Sequence, residues 1–567
     1  MKLGDLGSVR DQAIDYQALR FEPTHHADQD AAVPVRHSVV IVGAGPVGLA
    51  LAIDLAQRGL PVVLLDNDNT LSTGSRAICF AKRTLEIFDR LGCGDRMVAK
   101  GVSWNVGRVF FREQQLYSFD LLPNEQSERA DERPAFINLQ QYYVEGFLAE
   151  RVAELPLIDL RWQHAVVGVA QHADHAVLNV DTPAGPYSLK ADHVVACDGG
   201  RSAVRRLIGQ ESVGRTFKDR FLIADVKMKR EQPAERWFWF DPSFHPNQSV
   251  LLHMQPDGIW RIDFQLGWDA DPEFEKRPEN IIPRVRALLG KDAEFELQWA
   301  SVYTFSCLRM AHFRHGRVLF AGDSAHGVSP FGARGANSGV QDADNLGWKL
   351  ALVAQGRAPD GLLGSYADER EFAADENIRA STRATDFITP KSEASRLFRD
   401  AVLQLAKRHP FARTLVNSGR LSVPTVLSAS PLNTPDVDVF AGRMQPGTAA
   451  ADAPVQRADG KADWLLRMLA GGNFTALVFL DRAELDPSSA LRDAAAGIAP
   501  LSIIRIAPRD TATGLEAVDT QGIVASRYDM QPGTVILLRP DQHVCARWRA
   551  PSAALFKAAL QRALAIH

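Results

Sequence analysis

The sequence predicts an α/β fold with more than one domain, and three stretches of the chain carry that prediction. In each of them, an apolar run with the composition of a strand leads into a turn that must accept phosphate or ribose. The stretches are HSVVIVGAGPVGLALAIDLAQRGLPVVLLDND, ADHVVACDGGRSAVRRLIG and RVLFAGDSAHGVSPFGARGANSGVQDADNLGWKLA. Their composition and order predict one ligand site assembled from distant parts of the chain.

The first stretch predicts a strand, a phosphate-binding turn and a helix. An apolar run at residues 39–42 enters the turn, and a helical pattern follows at residues 49–57. The first glycine of such a turn permits the tight bend, the second lets the backbone approach a pyrophosphate, and the third lets helix and strand pack closely. A proline is tolerated in the first turn of the helix. The turn consists of Gly43, Ala44, Gly45, Pro46, Val47 and Gly48.

An acidic residue follows at the distance that a dinucleotide site requires. A second predicted strand, residues 61–65, ends at Asp66, about 20 residues beyond the glycines, where a carboxylate accepts hydrogen bonds from an adenosine ribose. An ordinary βαβ unit with a glycine-rich loop is the alternative interpretation. We therefore predict a dinucleotide site, although this pattern does not distinguish FAD from a nicotinamide cofactor.

The third stretch favours a flavin. A predicted strand at residues 318–321 delivers Gly322 and Asp323 to its carboxyl end, where open α/β sheets bind ligands. A carboxylate there binds a ribityl or ribose hydroxyl. Small residues then precede a predicted helix at residues 338–350, so that backbone amides can approach a flat, electron-poor ring and stabilise negative charge on it. This loop includes Pro330, Gly335, Ala336 and Asn337.

On these residues the chain resembles the class A flavoprotein monooxygenases, the para-hydroxybenzoate hydroxylase family. The resemblance rests on the first glycine turn, on the family's second motif in CDGGRSAVR at residues 197–205, and on its third motif at Gly322 and Asp323. The three motifs occur in the family's order across most of residues 38–352. The fold that the resemblance implies is a Rossmann-type FAD-binding domain with an inserted, sheet-rich substrate domain.

The resemblance also implies roles for individual residues. Asp198 and Gly199 would serve both FAD and NAD(P)H binding, Asp323 would hold the ribityl chain, and the loop from Gly335 to Asn337 would contact the isoalloxazine. Further FAD contacts are implied at Arg76 and Gln141. The sequence departs from the family's usual pattern at Asp66, where glutamate is more common, and at Ala333-Arg334, where many members carry Gly-Gln.

The implied reaction is hydroxylation of a phenolic ring. NAD(P)H would reduce FAD, O₂ would add to give a flavin C4a-hydroperoxide, and one oxygen atom would pass to the substrate. The segment RYDMQPGTVILLRPDQHVCARWR resembles the C-terminal thioredoxin-like domain of the phenol hydroxylase and phenylpropionate hydroxylase branch. That branch implies a small phenolic acid or substituted phenol in aromatic degradation. Since the segment lacks a CxxC pair, we expect a role in packing or in a homodimer.

Residues that contact the substrate are predicted less directly. His253, Tyr303 and Asp225 are candidates for activating a phenol, and an ordinary structural role is the alternative for each. Arg261 and Arg220 are candidates for binding an anionic substrate group. The clusters WFWF at residues 237–240 and WRIDF at residues 260–264 alternate like strands, which favours core packing over contact with a flat ligand. For His326 we prefer a helix-start role.

The domain organisation is predicted from these patterns and from the resemblance. Residues 1–36 form a flexible extension, and residues 396–460 form a helical segment and linker. The FAD-binding domain is discontinuous and comprises residues 37–100, 134–160, 187–212 and 314–395. The inserted substrate domain comprises residues 101–133, 161–186 and 213–313. A small thioredoxin-like domain, residues 461–567, ends the chain.

Composition limits the remaining classes of function. The 567 residues are 46% hydrophobic and 23% charged, an ordinary globular composition, and the net charge of −4 gives no reason to expect nucleic acid. Five scattered cysteines without a CxxC spacing predict a reducing, cytoplasmic location, no disulfide framework and no metal site. We find no signal peptide or membrane segment in the sequence.

Two alternatives stay open at this point. One is a flavoenzyme of the same fold with different chemistry, such as an oxidase, a decarboxylating hydroxylase or a reductase. The other is a scaffold that binds flavin, or no cofactor, and only interacts with partners. The glycines and acids of the three motifs argue against the scaffold.

Overall fold

The computed structural model describes residues 8–9, 18–72, 77–121, 130–228, 233–416, 422–469, 471–481, 486–508 and 515–566. Arg76, a predicted FAD contact, lies outside these residues, as do residues 1–7 and 10–17 of the N-terminal extension. The described end of that extension lies on the nucleotide-binding domain, where Asp28 accepts hydrogen bonds from His37 and pairs with Arg161 at 2.8 Å.

The strands follow the chain in this order: β1 (Ser8–Val9), β2 (Ala18–Leu19), β3 (Val35–Val42), β4 (Val62–Asp66), β5 (Cys79–Ala81), β6 (Val102–Ser103), β7 (Val106–Phe111), β8 (Gln114–Asp120), β9 (Phe136–Asn138), β10 (Ile158–Trp162), β11 (Ala165–Gln171), β12 (Ala176–Asp181), β13 (Tyr187–Ala196), β14 (Ser212–Met228), β15 (Arg236–Phe240), β16 (Ser249–Met254), β17 (Ile259–Leu266), β18 (Phe295–Met310), β19 (Arg314–His315), β20 (Val318–Phe320), β21 (His326–Gly327), β22 (Pro454–Arg457), β23 (Ala462–Trp464), β24 (Phe474–Phe479), β25 (Leu501–Ala507), β26 (Ala517–Val518), β27 (Val535–Leu538) and β28 (Val544–Trp548).

The α-helices are α1 (Pro46–Gln57), α2 (Lys82–Leu91), α3 (Gly94–Lys100), α4 (Gln141–Ala153), α5 (Ala203–Leu207), α6 (Pro272–Glu275), α7 (Pro278–Leu289), α8 (Gly335–Ala354), α9 (Leu362–Ile388), α10 (Glu393–Ala406), α11 (Pro410–Val416), α12 (Leu465–Met468), α13 (Ser488–Ala495), α14 (Ile523–Tyr528) and α15 (Ala553–Ala563). Short 3₁₀ helices lie at Ala27–Asp30, Pro256–Gly258 and Gly322–Ser324.

The first large sheet is the predicted nucleotide-binding sheet. Its parallel strands have the order β10-β4-β3-β13, with β20 also parallel to β13, and their apolar side chains are buried as in sheets with helices on both faces. The hairpin β11–β12 extends this sheet antiparallel to β13. Residues 161–186, which we assigned to the substrate domain from the sequence, therefore include strands that pair with the nucleotide-binding sheet.

The second large sheet, in the inserted region, has the order β21-β18-β14-β17-β16-β15-β7-β8. Neighbouring strands are antiparallel except β15 and β7. Alternation along the strands gives it two different faces. One face packs against α7 in an apolar core that contains Trp239, Trp260 and Phe264. We call the opposite face the inner face; it carries Arg236, His253 and Arg261.

The C-terminal region forms a mixed seven-stranded sheet of order β23-β22-β26-β25-β24-β27-β28, with α13 and α15 packed in one apolar cluster and α14 in another. Its likeness to thioredoxin stays a prediction. A fully buried ion-pair network joins it to the nucleotide-binding domain. Glu369 pairs with Arg539 of the C-terminal region at 2.5 Å; Glu369 also pairs with Lys349 at 2.7 Å, and Arg539 also pairs with Asp541. Burial lowers the pKa of Lys349 to about 8.

Two further observations concern the chain as a whole. All five cysteines are buried and none is in a disulfide, which agrees with their predicted behaviour as small apolar residues. Within the described ranges, no helix combines the length and apolar character that crossing a bilayer requires.

Candidate active site

The three predicted turns meet at the carboxyl edge of the nucleotide-binding sheet. The amide of Cys197 donates to the carbonyl of Val42 at 2.7 Å, and the amide of Ala321 donates to the carbonyl of Ala196 at 3.0 Å. The ends of β3, β13 and β20 therefore lie side by side. The predicted assembly of one site from three distant segments is present in the fold.

The three glycines of the first turn are required for different reasons. Gly43 has a φ of +106°, and a Cβ there would lie 2.5 Å from the carbonyl oxygen of Cys197. A Cβ on Gly48 would lie 1.9 Å from the carbonyl oxygen of Gly43. Gly45 differs, since a Cβ there would meet no atom within 4 Å. The outer glycines thus permit close packing, whereas Gly45 leaves space above the turn for a phosphate.

The first helix begins directly below this space. Gly45 caps α1 without a side-chain hydrogen bond, and Pro46 occupies the first helical position. The N–H groups of the first helical turn, including those of Val47 and Gly48, have no carbonyl partner within the helix and suit an anion. Asp66 accepts hydrogen bonds from the amides of Ala44 at 2.5 Å and Asp68 at 2.8 Å, and burial raises its pKa.

The second motif contributes an unpaired carboxylate oxygen. Asp198 accepts the amide hydrogen of Val204 at 3.0 Å through Oδ2, whereas its Oδ1 is buried and has no hydrogen-bond partner among the described residues. A Cβ on the neighbouring Gly199 or Gly200 would meet nothing within 4 Å. A buried acceptor beside open space fits a ligand hydroxyl, as the predicted FAD role requires.

A buried ion cluster fixes the third turn. Asp342 accepts hydrogen bonds from the amide of Gly322 at 2.9 Å, from His326 Nε2 at 2.6 Å and from Arg370 Nε at 2.6 Å. Burial opposes ionisation, but His326 and Arg370 bring the pKa of Asp342 below its usual range. His326 thus supports the turn through Asp342 and does not start a helix. Asp323, beside Gly322, is exposed.

We expect Asp342→Asn to release FAD. The N–H₂ group of the new asparagine would face donors that bind the carboxylate of Asp342 in the wild-type protein. We expect this mismatch to lower the free energy of unfolding by about 3 kcal/mol and to lower FAD affinity at least about tenfold. Flavin content and melting temperature measure both effects. Asp360→Asn, which removes an exposed ion pair with Arg314, should leave both nearly unchanged. Full flavin content in Asp342→Asn would show that this cluster does not shape the turn.

The start of α8 forms the other side of the site. The side chain of its N-cap, Arg334, does not cap the helix and donates to Asn377 instead. The backbone amides of Gly335, Ala336 and Asn337 have no carbonyl partner within the helix. The side chain of Asn337 accepts from the amide of Ala81 and donates to the carbonyl of Cys79, each at 2.8 Å. Because that side chain is engaged, Asn337 offers a ligand its backbone N–H.

Two more predicted contacts lie at the margin of the site. Gln141 donates to Ser72 at 3.0 Å and to Glu145 at 2.8 Å, and its Oε1 accepts the amide hydrogen of Ala77. Gln141 therefore holds the segment next to the undescribed residue Arg76. Pro330 is exposed in the loop before α8. In the same loop Ala333 has a φ of +53°, where glycine would be less strained.

A cavity lies between this loop, α9 and the inner face of the second sheet. Phe331, Gly332 and Arg334 belong to the loop before α8, so the cavity adjoins the predicted position of the flavin ring. Most of the wall is aromatic or aliphatic, as expected of a pocket for a flat organic molecule. The lining residues are Val109, Phe119, Arg236, Phe238, Phe240, Leu251, Phe331, Gly332, Arg334, Ala380, Ala384, Ile388 and Val416.

The aromatic cluster WFWF is divided between the two faces of the sheet. Trp237 and Trp239 belong to the core beneath the sheet, as the packing interpretation predicted. Phe238 and Phe240 point the other way and line the cavity. Alternation along one strand thus supplies both a core and a wall of the cavity.

The three candidates for phenol activation lie on the inner face. Asp225 pairs with Arg261 through two hydrogen bonds of 2.7 Å. His253 is buried and its ring nitrogens have no hydrogen-bond partner among the described residues; burial and the nearby Arg236 and Arg261 lower its pKa well below 6.5. Burial raises the pKa of Tyr303 well above 10. Their catalytic roles stay predictions.

Residues that sequence reasoning missed also lie here. Arg236 lines the cavity, and Asp263 lies next to Arg261 on the inner face of β17. A signal was present in WRIDF, because Arg261 and Asp263 occupy alternate positions in this otherwise apolar segment and therefore share a face of the strand. Asp342 and the side-chain bonds of Asn337 gave no comparable sequence signal.

The fold and the site together define a flavoprotein. The predicted FAD site joins three sequence motifs, and an aromatic cavity adjoins the loop predicted to contact the isoalloxazine. The chain belongs to the FAD binding domain family, whose model matches residues 36–381. These findings and the relatives below identify it as an FAD-dependent monooxygenase.

Curated relatives align over most of the chain. The 3-(3-hydroxy-phenyl)propionate/3-hydroxycinnamic acid hydroxylase of Mycolicibacterium smegmatis is 31% identical over 67% of this chain and 66% of its own length. The enzyme of the same name from Mycobacterium sp. strain KMS is 29% identical over 91% of this chain and 90% of its own. The flavin-dependent monooxygenase PieE, solved with FAD and substrate, is 22% identical and covers 94% of this chain and 100% of its own, with a TM-score of 0.82, which shows a shared fold.

Proposed function

We propose that this protein hydroxylates a phenolic aromatic compound with O₂, using electrons from NADH or NADPH. The observation that carries the proposal is the aromatic cavity, whose wall includes residues of the loop before α8. A flat substrate in this cavity would lie next to the predicted position of the flavin ring. FAD, when bound, supplies the reduction of O₂ and the transfer of one oxygen atom to an electron-rich ring.

The protein's own residues bind, orient and exclude water. The amides at the start of α1 and α8 and the unpaired Asp198 Oδ1 would hold the cofactor. Phe238, Phe331 and Leu251 would keep the ring of the substrate in a dry environment. In our proposal NAD(P)H binds transiently, because the sequence contains no second glycine turn of the dinucleotide type.

We infer that the substrate is a small phenolic acid. Curated relatives are named for 3-(3-hydroxyphenyl)propionate and 3-hydroxycinnamic acid, and these two compounds are the first to test. A location in the cytoplasm and a homodimer also belong to the proposal. Light scattering during size-exclusion chromatography tests the homodimer.

We expect 3-(3-hydroxyphenyl)propionate to stimulate NADH or NADPH oxidation by the purified, yellow protein. One atom of isotopically labelled O₂ should enter the product, as measured by mass spectrometry, with little hydrogen peroxide formed. The matched control compound is 3-phenylpropionate, which lacks the hydroxyl group and should give no labelled product.

Each alternative predicts a different result. Peroxide without labelled product would indicate an oxidase, and loss of CO₂ with oxygen incorporation would indicate a decarboxylating hydroxylase. Flavin reduction and product formation without O₂ would indicate a reductase. Colourless protein that does not take up FAD would contradict the proposal and favour a scaffold.

A further inference from the structure

Ionisable side chains are concentrated at the centre of the inner face. Arg236 on β15 lies opposite His253 on β16, His253 lies opposite Arg261 on β17, and Arg261 lies opposite Asp225 on β14. Asp263, two residues after Arg261, points to the same face because side chains alternate along a strand. All five residues are buried, so each charge needs a partner or a function.

One pair in this group is satisfied. Arg261 donates two hydrogen bonds of 2.7 Å to the two oxygens of Asp225, the geometry of a strong bidentate ion pair. Arg261 also lies over the ring of Trp299 at 5.5 Å. These contacts explain Asp225 and Arg261 as a structural pair within the sheet, and they leave Arg236 and Asp263 without an equivalent partner.

Arg236 is a buried cation that opens onto the cavity. Only 6% of the residue is exposed, and no carboxylate of the described residues lies within ion-pair distance. Nη1 donates to the Cys79 sulfur at 3.4 Å, whereas Nε is buried without a partner. Because Asn337 binds the carbonyl of Cys79, Arg236 lies close to the start of α8.

Asp263 is the complementary buried anion. It is 7% exposed, and none of the described residues donates a hydrogen bond to it; the nearest basic atom is His253 Nε2 at 3.6 Å. Asp263 lies opposite Leu251, which lines the cavity. Burial raises its pKa to about 6, against the opposing effect of Arg261 and Arg236, while Asp225 adds to the rise. His253 stays neutral beside it, and the pKa of Tyr303 is raised.

We infer that Asp263 and Arg236 together recognise the hydroxyl group of the substrate: Asp263 accepts its hydrogen bond, and Arg236 donates to its oxygen. This inference rests on the proposed function, since Arg236 lines the same cavity and Asp263 lies on the inner face beside Leu251 of its wall. During oxygen transfer the phenolic O–H bond breaks, its electron pair stays on oxygen, and the proton passes to Asp263 Oδ. Arg236 holds the resulting phenolate, so the charge of the site is unchanged.

The two protonation states of Asp263 would prefer different ligands. Above pH 6 the carboxylate is only an acceptor, so it binds the hydroxyl group of phenol. Anisole, the methyl ether of phenol, has no hydrogen to donate, and its oxygen would be repelled by the carboxylate oxygens. Below pH 6 the protonated carboxyl also donates and can bind the ether oxygen. Preference for phenol over anisole should therefore fall as the pH drops through about 6.

Equilibrium titration of the oxidised, FAD-loaded protein tests this pair without turnover. Flavin absorbance reports binding of phenol and of anisole between pH 5 and pH 8. We expect wild-type protein to prefer phenol roughly ten- to a hundredfold at high pH, because a buried acceptor is otherwise unpaired. In Asp263→Leu the preference should be nearly lost, and in Asp263→Asn it should be independent of pH.

Controls separate this role from a structural one. Gln265→Met alters the same strand and the same face two residues away and should keep the pH-dependent preference. Arg236→Lys should retain more phenol affinity than Arg236→Met, because it keeps the charge. If Asp263→Leu does not fold, Asp263→Asn and Asp263→Glu carry the test.

The outcomes also distinguish this inference from the proposed function. A pH-independent preference in wild-type protein, or an unchanged preference in Asp263→Asn, would overturn the recognition pair even if the enzyme hydroxylates phenols. A pH-dependent preference that disappears in Asp263→Asn would support the pair even if no hydroxylated product is formed.

Discussion

Replacing Gly48 by alanine is expected to give a protein without bound FAD. The new Cβ would lie 1.9 Å from the carbonyl oxygen of Gly43, so the turn and α1 must separate by more than about 1 Å. Overpacking of this kind lowers the free energy of unfolding by about 2–3 kcal/mol. A displacement of about 1 Å at the phosphate-binding turn should also weaken FAD binding on the order of a hundredfold.

Two other glycines make this prediction specific. Gly45→Ala meets no protein atom within 4 Å, so it should leave the melting temperature of the FAD-free protein unchanged and still weaken FAD binding. Gly364→Ala lies at a helical position where a Cβ also meets nothing within 4 Å. It should lower neither the melting temperature of the FAD-free protein nor the affinity for FAD. Flavin absorbance after gel filtration and thermal unfolding measure these effects. A Gly48→Ala protein with full flavin content would refute the packing argument.

Replacing Glu369 by leucine should destabilise the whole protein. Lys349 would lose its carboxylate partner and Arg539 would lose one of its two, at a site where all these side chains are fully buried. Removing one member of a buried pair costs about 3–5 kcal/mol, which corresponds to a fall in melting temperature of about 3–4 °C for a cooperative unit of this length. Asp368→Asn, an exposed change on the same helix, should shift the melting temperature very little.

The pH dependence of this effect has a defined sign. Arg539 and Lys349 hold the pKa of Glu369 below its ordinary value despite burial. Its stabilising contribution is therefore complete above the unfolded-state pKa of about 4.3 and is lost as the pH falls below it. The stability difference between wild type and Glu369→Leu should narrow in acid. Adding Lys349→Met to Glu369→Leu should restore part of the lost free energy of unfolding. If the effects of the two substitutions simply add, Lys349 and Glu369 are not directly coupled.

The sequence predicted the strands, turns and helices of the nucleotide-binding domain well because their signals are local. Each turn follows its own strand within a few residues, and the glycines of the first turn are required by contacts that any such turn makes. The structure supports residues 39–42 as a strand within β3 and residues 49–57 as a helix within α1. The helix predicted at residues 338–350 lies within α8.

The substrate half could not be predicted in the same way because it depends on strand register. Arg261 was a candidate for binding a substrate anion, but the pairing of β14 with β17 places it opposite Asp225. Arg220 donates to the carbonyl of Ala270 instead of facing an anion. Arg236 lies near His253 at the cavity because β15 pairs with β16, and the sequence does not show that pairing. No spacing along the chain encodes these neighbours.

Helix α8 begins at the amides of the predicted flavin site, and its later turns place Asn345 and Lys349 in the buried network with the C-terminal sheet. Glu369, on α9, joins the same network, and Ala380 of that helix lines the cavity. The C-terminal region is therefore a poor module for exchange between relatives. A chimaera with a foreign C-terminal sheet would lose Arg539, so Glu369 would keep only Lys349 as a partner, and α8 and α9 would lose this buried contact with the C-terminal region.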